Sequence, residues 1–598
     1  MLPEAVTPEA EYTRRLADRR TVAAEMDRRA RNVGNVRLIV GLSGVVVAYF
    51  VFGSVTLSPW WMVPPIVTFV VLAIWHSKIF SALERARRAV TYCEKGLARI
   101  QDRWAGAGQQ GDRFRDAAHV YAEDLDIFGS GSLYELLCTV RTRAGEDTLA
   151  RWLLAPATPS EVVERQQAIA ELRGDADLRQ EFALVGEDFR SDIHMDDLAS
   201  WAGRAPVRFL PGIRWAATLV TVATVGSFAL YMMGVTSRVP FLACLLVDLG
   251  FWLAMRSKVA EVSETVHAPA RDLALAAEML TLIERRHFKA PLLAKLRGAL
   301  QTGGLPASAR IAQFERLVDR LEWQHNLFFA PIAAVLQWST HLGVALEKWR
   351  SDFGRQIGPW LAAAAQFETL VALGAYSFEH PSDPFPELVE HESCFEGEQL
   401  RHPLMLASRC IANDVSFGGN LQLLIVSGSN MSGKSTLLRT VGLNTVLAWA
   451  GAPVRASRLR ISPLHVAASI RIQDSLQDGK SRFYAEITRL RQILDLTAGE
   501  RTVLFLIDEI LSGTNSHDRR IGAEAIVKGL VERRAVGFIT THDLALVHIA
   551  DDLREHARNL HFADTLDQGT LHFDYRLHEG VVQRSNALEL MRSVGLPL

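Results

Sequence analysis

Cysteine is scarce and scattered. Cys93, Cys138, Cys244, Cys394 and Cys410 are the five in 598 residues, and no two form a C-x-x-C pair. That spacing excludes a disulfide scaffold and a cysteine-built zinc site, and reads as reduced thiols in a cytosolic or membrane-buried setting. Charge of one sign is missing too. Lys and Arg number 65 against 67 Asp and Glu, for a net charge of −2 and a pI near 6.8. No global basic field therefore advertises nucleic acid, although a local basic groove stays open. There is no internal repeat and no low-complexity tract. No secretory signal is expected, because the first apolar run starts late and lacks a small-residue cleavage site.

What the chain does have is apolar sequence on top of ordinary charge. Hydrophobic residues make up 49% and charged residues 22%, with a mean hydropathy of +0.09. The excess is concentrated in uncharged runs. Leu38–Leu57 and Pro59–Trp75 form one pair, with Trp60, Trp61 and Trp75 where interfacial aromatics belong. Trp215–Val235 and Pro240–Met255 form a second pair, broken only by Asp248. Arginines and lysines flank the outer ends of both (Arg29, Arg31 and Arg37, then Arg85, Arg87 and Arg88; Arg208 and Arg214, then Arg256 and Lys258). The positive-inside rule then places all outer ends, and both termini, in the cytoplasm. The expectation is an integral protein of a bacterial-type inner membrane with two transmembrane hairpins. A carboxylate inside such a span marks function by default, yet a hydrogen-bonded structural role fits Asp248 equally well.

Outside the hairpins, residues 79–210 and 258–380 carry helical apolar spacing. Ala260–Arg286, Ser308–Leu346 and Gly358–Tyr376 read as long helices, and Trp323, Phe328, Phe329, Trp338 and Trp349 as their packing core. Pro381–Pro386 breaks into a different pattern of short β-branched strands alternating with helices, as a doubly wound sheet requires.

There the chemistry gathers. Gly428, Ser429, Asn430, Met431, Ser432, Gly433, Lys434 and Ser435 fit G-x-x-x-x-G-K-[ST], the Walker A pattern. Leu421–Val426 before it reads as a buried strand, and Thr436 onward as a helix. Glycines let backbone N–H groups converge on phosphate and the helix N-terminus adds its dipole. Lys434 can then reach the β/γ-phosphates of ATP and Ser435 can ligate Mg²⁺. The apolar strand Thr502–Ile507 delivers Asp508 for Mg²⁺ and Glu509 to orient or deprotonate the attacking water. His542, after the strand Val536–Thr541, is placed to sense the γ-phosphate. The polar loop running from Asp474 through Gly479, Lys480 and Ser481 offers donors that could complete a phosphate site across a dimer interface.

Asn430-Met431, the run from Asp474 to Glu486, Asp508-Glu509 followed by Gly513-Thr514-Asn515-Ser516 and Asp518, and Thr541-His542 together resemble the ATPase of the MutS mismatch-repair family. Arg401-His402-Pro403 ahead of the domain and Gly595-Leu596-Pro597 at its close fit the same pattern. Asp124–Phe128 and the positions after it resemble, more weakly, the start of that family's core or lever domain. The resemblance implies an ABC-type ATPase that dimerises head to tail, with Ser481 contacting the γ-phosphate held by the partner subunit. It further implies a multidomain fold: an α-helical lever/core with two transmembrane hairpins, then an α/β P-loop domain. The expected divisions are a cytosolic charged helix (1–37), hairpin 1 (38–77), a helical connector (78–116), the core (117–386) with hairpin 2 inserted at about 215–255, and the ATPase domain (387–598).

The departures shape the functional expectation. Residues 1–116 hold charged helices and a hairpin where the family carries a mismatch-reading domain with a Phe-x-Glu wedge, and no helix-turn-helix or nuclease module is expected past the Gly-Leu-Pro ending. Cys410 stands where the family often places an aromatic against adenine. Two readings stay open: a membrane-anchored MutS-like ATPase that still binds DNA, with mismatch recognition not carried over; or a membrane mechanochemical ATPase acting on a protein or lipid. Both use ATP and Mg²⁺, and both expect a homodimer through the ATPase domains.

Overall fold

The computed structural model describes residues 7–54, 57–185, 195–390, 393–429, 431–471, 482–567 and 570–582. Asn430, Ser481 and the stretch from Gln583 to Leu598 lie outside the described residues. Up to residue 380 the chain is mostly helical. The long elements are α1 (Pro8–Ala48), α2 (Val63–Ile100), α3 (Ile213–Met232), α4 (Arg238–Arg285), α5 (Ala307–Glu322), the short α6 (Ala330–Val335) and α7 (Trp338–Glu379). The C-terminal part is α/β: β1 (Leu423–Ser427), α8 (Lys434–Ala450), β2 (Leu464–Ser469), α9 (Arg482–Leu496), β3 (Thr502–Ile507), α10 (Ser516–Glu532), β4 (Val536–Thr541), β5 (Ala557–Asp567) and β6 (Thr570–Glu579).

Two compact units divide the chain. The first comprises Met1–Thr139, Leu149–Leu184 and Val371–Leu598. Its main sheet has the order β6-β5-β1-β4-β3-β2, parallel except for the β5–β6 pair. Strands β1, β3 and β4 read as almost continuous apolar runs because they are buried on both faces. The order reverses at β1: β4 follows on one side and β5 on the other. The carboxyl ends there form the crevice in which such sheets take ligands. A second sheet of Glu387–Leu388, Arg458–Ile461, Cys394–Leu400 and Asn413–Gly418 packs alongside, with Phe417 stacked on Phe395 at 5.1 Å and edge-on to Phe538 of β4 at 5.3 Å.

The same unit contains α1 and α2, an antiparallel pair. Arg20 meets Glu94, Asp27 meets Arg87, Gly41 lies against Phe69 and Gly44 against Pro65. The sequence boundaries at 37 and 77 mark a change of chemistry only, since the charged and apolar halves belong to the same helices. The charged ends are fastened by one buried knot. Arg99 of α2 donates to both carboxylate oxygens of Glu379, from Nε at 2.7 Å and Nη2 at 2.5 Å, and the Tyr12 hydroxyl of α1 donates to Oε1 at 3.0 Å. Gly96 leaves the space that the Tyr12 ring fills.

The second unit comprises Val140–Thr148 and Val185–Leu370. It holds the second apolar pair, α3 and the start of α4, and a helical core in which Phe314 packs on Trp349 at 4.5 Å and on Trp201 at 5.5 Å. Glu368 of α7 is buried and accepts from the Thr142 hydroxyl at 2.6 Å and from the backbone of Arg141 and Thr142, holding the start of the Arg143–Leu154 helix.

Among the described residues, five helices are long and apolar enough to cross a membrane. In the four that the sequence singled out, only 6–11% of the apolar window is buried, whereas in Trp338–Glu379 the share is 83%. Composition alone cannot separate a lipid-facing helix from a core helix, and burial does. Two helix boundaries need correction. Ser308–Leu346 is not one helix: α5 ends at Glu322, and the chain breaks over 323–337 before α7. Gly358 starts nothing, because α7 runs straight through Pro359, whose missing N–H removes a single ladder bond. The aromatic core reading holds for Trp349, 5% exposed; Trp323 packs on Phe329 and Trp338 but stays 56% exposed, and the reading fails for Phe328, 87% exposed. Helical spacing continued across the break and concealed it.

Candidate functional site

Strand β1 ends in a glycine turn. Gly428 has φ 156°, and a Cβ there would sit 2.8 Å from the Ser432 hydroxyl, so a side chain is excluded on both counts. Gly433, at φ 105°, caps α8. Lys434 is the first residue of that helix and is buried. Its ammonium donates back across the turn to Gly428 O at 2.7 Å and Ser429 O at 2.9 Å. Burial lowers its pKa, and the Glu509 and Asp508 carboxylates oppose that shift.

The acids arrive from β3. The Ser435 hydroxyl donates to Asp508 Oδ2 at 2.5 Å, and the Thr540 hydroxyl, from the end of β4, donates to Asp508 Oδ1. Thr540 Oγ1 in turn accepts the Glu509 N–H at 3.0 Å. Glu509 sits at φ +48°, a conformation non-glycine residues seldom adopt and one that collects at working sites. His542 Nδ1 lies 3.3 Å from Glu509 Oε1. Lys434, Ser435, Asp508, Glu509 and His542, read from three separate stretches of sequence, thus meet at the carboxyl ends of β1, β3 and β4.

A cavity of about 700 Å³ opens onto this cluster, a volume suited to a nucleotide. Ser429, Met431, Gly433, Lys434, Ser435 and Thr436 line it on the glycine-turn side. The Ser429 and Ser432 hydroxyls are buried and have no hydrogen-bond partner among the described residues. Buried polar groups are normally paired. Orphaned hydroxyls beside an ammonium and a helix N-terminus fit an anion such as a phosphate chain. Magnesium fits the adjacent donors equally well, since Ser435 and Asp508 supply hard oxygens.

Some participants were missed in the sequence. Tyr575 of β6 lines the cavity, and its ring lies 3.3 Å from the point where a Gly433 Cβ would stand. Asn413 holds it, donating to Tyr575 O at 3.0 Å and accepting from Leu577 N at 2.7 Å. Cys410 also lines the cavity, and its Sγ accepts the His402 N–H at 3.2 Å. The buried His402 has its pKa pushed down to about 4, first by burial and then by Arg439. Thr540 was read only as strand, although a threonine before Thr541-His542 was the available signal.

The loop after Glu509 is pinned from behind. Leu511 N donates to the buried Glu486 of α9 at 2.5 Å, and Arg519 of α10 donates to Leu511 O and Ser512 O, each at 3.1 Å. Asn515 caps α10 by accepting from Asp518 N, so the helix starts at Ser516. Asp124 belongs to the same compact unit. Its Oδ1 accepts from Ile470 N and Arg471 N, both at 2.7 Å, while Arg439 of α8 donates to its carbonyl at 3.1 Å. The segment singled out as the start of a lever thus grips both the glycine-turn helix and the chain that leaves β2.

Residues 424–598 match the family model described as MutS domain V. That domain is the ATPase domain of MutS-family proteins, and the match supports membership of the MutS family.

Proposed function

We propose that the chain is a membrane-anchored, Mg²⁺-dependent ATP hydrolase that works as a homodimer and drives a conformational change at a membrane. The observation that carries this reading is the continuous network from Ser435 through Asp508 and Thr540 to Glu509 and His542, set beside the orphaned hydroxyls of the glycine turn. Residues 428–436 would hold the phosphates of ATP, with Lys434 swinging from its two carbonyls to the β/γ-phosphates. Ser435 and Asp508 would hold Mg²⁺, which neutralises charge on the phosphates when bound. Glu509 orients and deprotonates the attacking water, and His542, within reach of its carboxylate, reports on the γ-phosphate. Tyr575 offers the ring for the base that Cys410 cannot supply. Ser481 completes the site from the partner subunit in a head-to-tail pair.

The four exposed apolar helices would span the bilayer in two hairpins, with termini and ATPase domain on the cytoplasmic side. The knot of Tyr12, Arg99 and Glu379 favours a mechanical output, because it joins the helices of hairpin 1 to the end of α7, which leads directly into the ATPase part of the same compact unit. A second reading, binding to DNA, is favoured by the match to MutS domain V. To test between them, the Glu509→Gln protein, trapped with ATP, is crosslinked in cells. Recovery of a membrane protein or lipid partner supports the mechanical reading. Recovery of DNA, with salt-dependent binding by the purified dimer, replaces it with the second. Absence of ATP turnover by the wild-type protein in lipid nanodiscs would sink the ATPase reading altogether.

A further inference from the structure

Between Glu322 and Glu347 the chain has no Asp, Glu, Lys or Arg. The first part of this stretch, 323–337, is the break between α5 and α7, and it does not fold into a water-facing loop. Leu327, Phe328 and Ile332 are 83%, 87% and 52% exposed. The chain turns at Asn326, whose carbonyl accepts from Phe329 N and Ala330 N and whose Oδ1 accepts from Phe328 N at 3.0 Å. It then enters α6, which lies against the helices of the second apolar pair.

The contacts at the end of α6 fix how far it reaches. The Thr221 hydroxyl of α3 donates to Val335 O at 3.3 Å, and Gln337 Nε2 donates to Asp248 of α4, at 2.8 Å to Oδ1 and 3.1 Å to the carbonyl. Thr221 is eight residues inside Ile213 and Asp248 eight residues inside Arg256, so each lies about 12 Å along its helix from the charged margin. At that level the surroundings are apolar and open: Leu219 and Val222 flank Thr221, and Leu246, Val247 and Leu249 flank Asp248, each at least half exposed. Gln337 and Asp248 are 1% and 3% exposed, and Thr340 donates to Gln337 Oε1 at 3.2 Å. A helix end whose freed carbonyl is met by a neighbouring hydroxyl, and a carboxylate met by a buried amide, are what non-helical backbone needs where water cannot supply partners.

We infer that residues 323–337 re-enter the bilayer beside hairpin 2, so that Leu327, Phe328 and Ile332 face lipid and Gln337 serves as the membrane partner of Asp248. The inference rests on reading α3 and α4 as spans. It also gives Asp248 a structural assignment: it anchors the re-entrant segment.

The test places a diazirine side chain singly at Phe328, Ile332, Leu219 (α3) or Ile521 (α10) in the full-length protein in native membranes. Lipid adducts are then measured by mass on the monodisperse fraction. Adducts at Phe328 and Ile332 comparable with Leu219, and at least about tenfold above Ile521, are expected. Adducts at Leu219 alone overturn the inference and leave the hairpin intact. Adducts at neither Leu219 nor the segment overturn the membrane reading and the inference together. Crosslinks from Phe328 and Ile332 to protein instead of lipid also overturn it.

Discussion

The Ser435 hydroxyl and the Asp508 carboxylate meet at 2.5 Å across the carboxyl ends of β1 and β3. Each holds the other where a divalent cation would use both. Asp508→Asn keeps the shape and removes the charge. Turnover is expected to fall at least about a hundredfold, near 3 kcal/mol of barrier, with the Mg²⁺ requirement shifted to higher concentration. A Mg²⁺ titration of ATPase rate checks this, and an unchanged midpoint would remove Asp508 from the metal site.

Glu509 is held by its own backbone, at φ +48° with its N–H on Thr540, so its side chain is free to act. Glu509→Gln should retain ATP binding and lose about 10²- to 10⁴-fold in turnover. Because product would no longer form, the ATP-bound dimer should accumulate, visible as a doubled mass by light scattering. Equal turnover in both proteins would strip Glu509 of its role.

Thr540 links the two acids through one hydroxyl, accepting from Glu509 N and donating to Asp508. Thr540→Val preserves volume and leaves both groups short of a partner, a loss of about 1–3 kcal/mol. Turnover should drop about 10- to 100-fold while nucleotide affinity, set by the glycine turn, changes little. Parallel loss of affinity and rate in a nucleotide titration would make Thr540 merely structural.

How far the sequence reached follows from the range of each signal. The convergence of Lys434, Ser435, Asp508 and Glu509 at one end of the sheet was legible because two apolar strands announce themselves, one ending in the glycine turn before Lys434 and the other directly before Asp508. The four exposed apolar helices were legible because uncharged runs of that length stand out in composition alone. Tyr575 was hidden because its role depends on a pairing with Asn413, distant in sequence. Residues 323–337 were hidden because apolar spacing runs unbroken through Gln337, and only a positive φ of +49° there ends α6 and starts α7 on a new course. Asp124 was noticed as a family mark, but its grip on Ile470 and Arg471 depends on contacts more than 300 residues away along the chain.

His402 should make the nucleotide-binding part acid-sensitive. Its folded pKa of about 4 lies below the ordinary 6.5, so the folded state binds fewer protons than the unfolded state between those values. Its stability contribution is therefore complete above pH 6.5 and is lost as pH falls toward 4, in total about 3 kcal/mol. His402→Asn retains an acceptor for Leu404 N and has nothing to titrate. The unfolding midpoint of this variant should fall less than that of the wild type between pH 6.5 and 4. Identical slopes would show that other groups set the acid limit.

At Glu379 three hydrogen bonds from two side chains, Arg99 of α2 and Tyr12 of α1, converge on one buried carboxylate. Removing only the charge, in Glu379→Gln, leaves Arg99 buried without its anion and should cost about 3–5 kcal/mol. Tyr12→Phe removes one hydrogen bond and should cost about 1 kcal/mol. Replacing both ends, Arg99→Leu with Glu379→Leu, removes the buried charges together and should be milder than the sum of the single losses. Thermal midpoints in detergent measure all three. The double variant also separates stability from transmission: if the knot carries motion from the ATPase part to hairpin 1, this protein should hydrolyse ATP normally while ATP no longer alters labelling along α1. Full ATP-dependent labelling in that background would leave the knot as a fastening only.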